Sequence, residues 1–261
     1  DILNELDQLI ENHEVNYFIG LINYKQKNYD QTIFFIEKSK NLKPGIPRYY
    51  LILGEIYLLK KDFDKALNLY LEGLKLNLTD DIKGLFKSYI GETFHLKGDI
   101  QNAIKNYQES IKLNYKLIKP HKNLGFIYIK NDRQDLALEY FQNALNLDPK
   151  SDEILIILGT IYINLKLHSR AQDFFNKALE INSSSTEAWC NLGKCQTVLR
   201  NNESALKSYQ KAINISPNYR IAISNYLYTL NFQDNLDEKF ILKEHCKYNN
   251  EFIKKSTFQK K

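Results

Sequence analysis

The residues best placed to do chemistry by repetition are three asparagines. Asn123 and Asn191 each stand two positions before a glycine, Gly125 and Gly193, and Asn225 stands two positions before Leu227, which falls in the same column. A carboxamide carries an acceptor and two N–H donors. A row of such groups can therefore hydrogen-bond the backbone of an extended peptide whatever side chains it carries. Ile157 interrupts the row between Asn123 and Asn191. Lys119, Lys122 and Lys194 add positive charge on the same stretches, and Tyr89 and Phe126 add flat apolar surface.

Bond-making chemistry finds much less. His13, His95, His121 and His168 are scattered with no nucleophile or carboxylate in register, and His245 sits between Glu244 and Cys246, where helical neighbours in sequence do not face one another. No Gly-rich phosphate loop, paired-carboxylate motif or metal-ligand spacing is present. Cys190, Cys195 and Cys246 are odd in number and lack CxxC spacing, so reduced and largely buried thiols are expected, with neither disulfides nor zinc. The expectation is a chain with no catalytic residue, no cofactor and no metal. Asn77, Asn182 and Asn202 open glycosylation triplets, which an Asn-rich chain produces by chance.

Thirty-six basic and 31 acidic side chains leave a formal charge of +5, too small and too dispersed for the concentrated basic face that nucleic acid needs. The longest apolar run, 154–163, is about half the ~20 residues of a membrane-spanning helix. No secretory leader is apparent at the start, and a cytoplasmic location is expected. Methionine is absent even at position 1, so Asp1 is expected to lie within a longer or processed chain.

What must position these groups is read from an internal period. Gly125, Gly159 and Gly193 recur every 34 residues. So do Ala137, Ala171 and Ala205; Phe141, Phe175 and Tyr209; and Ala144, Ala178 and Ala212. A period of this length marks stacked supersecondary units that bury their faces only against neighbours. Small residues belong where two helices cross closely, aromatics where the interface widens, and proline where one unit ends. The set Leu124-Gly125, Tyr128, Ala137, Phe141, Ala144 and Pro149 resembles the tetratricopeptide repeat. The resemblance implies an all-α, right-handed solenoid of helix-turn-helix repeats.

Register then divides the chain. An amphipathic N-terminal helix is expected over residues 1–12, carried by Ile2, Leu6, Leu9 and Ile10. Six repeats follow at 13–46, 47–80, 84–117, 118–151, 152–185 and 186–219, together 13–219. The first is degenerate, with Thr32 and Ser39 in the alanine columns. Gly54 and Gly91 are separated by three residues more than the period, an insertion between Leu74 and Lys83 expected to lengthen an inter-repeat loop. Residues 220–261 read as a partial seventh repeat and a capping helix with Phe240, Ile241, Cys246, Tyr248 and Phe252 on its apolar face. His121 shares a column with Trp189, a packing position.

In the family that the repeats resemble, the first helix of each pair lines a concave groove that binds peptides or partner helices. Counting from each glycine, that lining comprises Phe18, Ile52, Tyr89, Asn123, Ile157, Asn191 and Asn225 two positions before, and Leu21, Glu55, Glu92, Phe126, Thr160 and Lys194 one position after. Some family members clamp a C-terminal carboxylate through an Asn directly after the glycine, and no repeat here has one. The expected function is a protein-interaction scaffold. Its groove residues would be Asn123, Asn191, Asn225, Lys194, Tyr89, Phe126, Lys119 and Lys122, and its partner a protein or peptide, with neither nucleic acid nor membrane involved and self-association open. Residues Ser224–His245 also resemble the junction between repeats and catalytic region in O-GlcNAc transferase and Spindly-like glycosyltransferases, although Ile223 stands where relatives tend to carry His. The alternative reading is thus the substrate-recruiting region of such an enzyme, without its catalytic domain.

Overall fold

A computed structural model of the chain describes residues 12–233 and 237–258, with 249–258 as backbone course alone. The N-terminal helix expected over 1–12 lies outside the described residues but for Asn12, which caps the first helix observed. Among the described residues there are fourteen α-helices and no strand. They run α1 His13–Lys25, α2 Tyr29–Leu42, α3 Pro47–Leu59, α4 Phe63–Leu74, α5 Asp80–Leu96, α6 Ile100–Leu113 and α7 Ile118–Lys130 in one compact unit, residues 1–131. The second unit, residues 132–261, holds α8 Gln134–Leu147, α9 Asp152–Asn164, α10 His168–Ile181, α11 Thr186–Val198, α12 Asn202–Ile215, α13 Arg220–Leu230 and α14 Glu238–Phe258.

Each unit is a series of helix hairpins. In the first, α1 packs on α2, α3 on α4 and α5 on α6, while α3 also touches α5 and α5 touches α7. In the second, α9 packs on α10 and α11 on α12, while α9 touches α11 and α11 touches α13. First helices therefore lie side by side within each unit. No helix among the described residues is long and apolar enough to cross a membrane.

The repeating columns are the core. Ala66, Ala103, Ala137, Ala171 and Ala205 are wholly buried, as are Tyr70, Tyr107, Phe141 and Phe175. The glycines are obligatory because the aromatic column lies on them. A Cβ on Gly193 would stand 2.7 Å from Cε1 of Tyr209, and one on Gly91 2.8 Å from Cδ1 of Tyr107. The degenerate first repeat keeps the same packing with polar residues. Thr32 and Ser39 are fully buried, and their hydroxyls donate to the carbonyls of Asn28 and Phe35 one turn back, at 3.0 and 2.9 Å.

The insertion behaves differently from expectation. The connection from α4 to α5, 75–79, is only one residue longer than the four-residue links at 43–46, 114–117, 148–151 and 182–185, while α5 has 17 residues where α3, α7, α9 and α11 have 13. The extra residues become an added N-terminal turn of α5. Thr79 enters it with extended backbone, Asp80 and Asp81 place negative charge on the positive end of the helix dipole, and Leu78 is buried. A second difference concerns the thiols. Cys190 and Cys195 are buried, but Cys246 is exposed, because α14 turns Tyr248 inward to meet Tyr226, ring centroids 6.1 Å apart.

Candidate functional site

In the first unit the expected residues sit on α5 and α7. Lys119, Lys122, Asn123 and Phe126 follow one another along α7, and Tyr89 lies on α5. The fold brings Lys119 onto Tyr89, its ammonium 4.5 Å from the ring centroid, and the same Nζ lies 2.6 Å from Oε2 of Glu92. Lys119 is thus an internally neutralised cation rather than an open one. The Nδ2 of Asn123 donates to the hydroxyl of Tyr107 at 2.9 Å, so one of its two N–H groups ties α7 to α6. Lys122 is half-buried, and Phe126 is 41% exposed.

In the second unit, Asn191 and Lys194 lie on α11 and Asn225 on the adjacent α13. Lys194 is exposed and the two asparagines are half-buried. Nδ2 of Asn225 reaches Sγ of Cys190 only at 4.0 Å, the long limit of a bond to sulfur. The amide of Asn191 makes no hydrogen bond to a described residue. Its donor and acceptor capacity is open on the first-helix face, beside the Lys194 ammonium one turn on. Farther along the same face Tyr228 and Phe232 are 59% and 55% exposed, with ring centroids 4.8 Å apart, and with Thr197, Arg200 and Asn202 they line a depression of about 410 Å³.

In the first unit the expected lining residues Glu55, Tyr89 and Glu92 belong to a polar group with Tyr24 and Tyr70, to which the sequence assigned no binding role. The ring of Tyr70 lies over Gly54, where any Cβ would collide with it, and stacks on Tyr89 at 5.3 Å with planes 26° apart. Burial, then the charge of Glu55, pushes the Tyr24 hydroxyl up to about 12. Burial raises Tyr89 as well, followed by Glu55 and Glu92, and raises Tyr70, followed by Tyr89, Glu92 and Glu55. These hydroxyls stay protonated, and the charge of Glu55 contributes at all three. Counting from each glycine placed Glu55 and Glu92 in one column; Tyr70 belongs to the repeat of Glu55 and Tyr89 to that of Glu92, whereas Tyr24 comes from the first repeat and has no signal in the period.

Packing also accounts for His121. It is 5% exposed, its Nε2 lies 3.2 Å from the carbonyl of Tyr115, and burial holds its pKa below the usual histidine value. Trp189 uses the same column in the same way, donating from Nε1 to the carbonyl of Ser183 at 2.9 Å.

Known proteins match this architecture. Models described as tetratricopeptide repeat match residues 47–80, 90–116, 128–192 and 186–219, together more than half of the chain. No curated protein matches it. Among solved structures, YrrB, described as a tetratricopeptide-repeat protein with an unusual peptide-binding site, aligns at 21% identity and TM-score 0.59 over 72% of this chain and 96% of its own. PilF of Pseudomonas aeruginosa aligns at 12% identity and TM-score 0.68 over 85% and 97%. A chain of the Cut9–Hcn1 assembly of the APC/C aligns at 19% identity and TM-score 0.64 over 87% of this chain and 44% of its own. At these identities the structural likeness speaks for the fold, and with the repeat models and the buried glycine, alanine and aromatic columns it leads to one conclusion: the chain belongs to the tetratricopeptide-repeat family.

Proposed function

We propose that this protein is an interaction scaffold that binds an extended peptide segment of a partner along its first-helix faces. The observation carrying the reading is the open amide of Asn191 on α11, with exposed Lys194 on the same helix and Asn225 on the adjacent α13. Carboxamides on neighbouring parallel helices suit a peptide backbone, whose donors and acceptors recur along the strand. Asn123, Phe126, Tyr89, Lys119 and Lys122 would form the first unit's own contact surface, where Asn123 keeps its carbonyl oxygen and one N–H for a ligand. YrrB supports the reading by analogy, since its own description gives it a peptide-binding site.

The second reading, recruitment of substrates for an O-GlcNAc-transferase-like enzyme, rests on Ser224–His245 alone. That segment covers the later part of α13, a turn and the start of α14, with 234–236 outside the described residues. The scaffold reading is tested by selecting a displayed random 12-residue peptide library on the purified chain. The selected peptides should bind the triple variant Asn123→Ala, Asn191→Ala, Asn225→Ala at least about tenfold more weakly, the loss of two or more hydrogen bonds. Unchanged affinity with an unchanged melting curve would reject the amide row.

A further inference from the structure

The first unit solves the same electrostatic problem twice and leaves it unsolved once. Arg48, six positions before Gly54, lies 4.3 Å over the ring of Tyr17 and 3.7 Å from the Glu14 carboxylate. Lys119, six positions before Gly125, lies over Tyr89 and pairs with Glu92. In both, a basic residue on one first helix covers a tyrosine of the preceding first helix and neutralises a carboxylate. The corresponding position before Gly91 is Leu85. Glu55 occupies the same column as Glu92, one residue after the glycine, and no basic side chain among the described residues comes within 4 Å of it.

Around Glu55 the acceptors accumulate. The ring of Tyr70 lies over Gly54, next to Glu55 in the chain, and stacks on Tyr89; the charge of Glu55 adds to the burial that raises Tyr24, Tyr89 and Tyr70. The hydroxyl of Tyr70 is the independent sign of a missing ligand: the side chain is wholly buried, and its oxygen has no hydrogen-bond partner. A buried hydroxyl without a partner is costly, so native structures seldom leave one unless something else supplies the bond.

We propose that Glu55, with the hydroxyls of Tyr24, Tyr70 and Tyr89, receives the cationic side chain of a basic peptide, in the place that Lys119 takes at Glu92. The inference rests on the scaffold reading and gives its partner a chemistry: an ammonium or guanidinium group on an extended chain. The carboxylate neutralises the charge, and the phenolic oxygens accept its N–H groups. Where the fourth repeat carries Lys119, the third carries Leu85, which supplies no cation of its own.

The test uses fluorescein-labelled hexalysine and hexaarginine, titrated with the full chain by anisotropy at physiological ionic strength. Glu55→Gln, close to isosteric, should weaken binding about tenfold, as expected for a lost charge-assisted bond. Glu180→Gln, an exposed carboxylate on the second helix α10, should change it little. Leu85→Lys should install an internal cation and reduce binding as much as Glu55→Gln does. Equal losses in Glu55→Gln and Glu180→Gln, or no binding of either peptide by the wild-type chain, would overturn the proposal. Failure here while library-selected peptides still depend on Asn191 and Asn225 removes the cation site and leaves the scaffold; loss of both removes both.

Discussion

Gly159 lies directly beneath the ring of Phe175, so closely that a Cβ on the glycine would stand 2.7 Å from Cε1 and 2.8 Å from Cζ. Both residues are buried, one on α9 and one on α10, and the contact fixes how near the two helices of that hairpin approach. Gly159→Leu must push them apart or force Phe175 off its rotamer, at a cost of about 1–3 kcal/mol. Ser184→Ala, in an exposed inter-repeat loop, should cost less than about 0.5 kcal/mol. Urea denaturation of the two variants checks this, and equal losses would contradict the packing register.

The thiols should divide two to one. Burial pushes Cys190 and Cys195 up to about 11, so both are protonated as well as shielded at neutral pH. Cys246 is exposed on α14. A colourless-to-coloured disulfide reagent at pH 8 should titrate one thiol rapidly in the native chain and the other two only on unfolding, because the thiolate is the reacting species.

Histidine 121 gives the stability a pH dependence of known sign. Burial holds its folded pKa below the unfolded value of 6.5, and the bond to the Tyr115 carbonyl opposes this only in part. The unfolded chain therefore takes up a proton before the folded one, and stability falls as pH drops through 6.5, levelling off below the folded pKa. His121→Leu, borrowing the residue found at Leu155 in the same column, removes this contribution. Urea midpoints at pH 8 and pH 5 should differ less in the variant than in the wild type.

The core was legible because close helix crossings admit few residue types. Gly193 under Tyr209 and Ala171 at 0% exposure leave no freedom, so period and packing coincide. The hairpin turns carried no such mark. Lys27, Lys61, Lys166 and Arg200 all adopt positive φ near 60°, where Gly98 is the residue that sequence would suggest. Each turn is closed by a bond back over five residues, as from Asp62 N to the Tyr57 carbonyl at 2.8 Å, and that geometry tolerates a basic side chain directed to solvent. The added turn of α5 was hidden because helix and loop can absorb an insertion equally well. The candidate site was only half visible. Counting from each glycine named Tyr89 and Glu92, and charge named Lys119, but whether Lys119 is open or paired depends on two helices meeting, and the influence of Glu55 on Tyr24 joins repeats with no shared column.

The central claim is that the first-helix face, not the second-helix face, holds the partner. Amine footprinting with a library-selected peptide bound addresses this directly, because Lys194 on α11 and Lys177 and Lys211 on α10 and α12 are all exposed in the free chain. Protection of Lys194 with Lys177 and Lys211 still reactive is the predicted outcome. Protection of Lys177 or Lys211 with Lys194 unchanged would contradict the account.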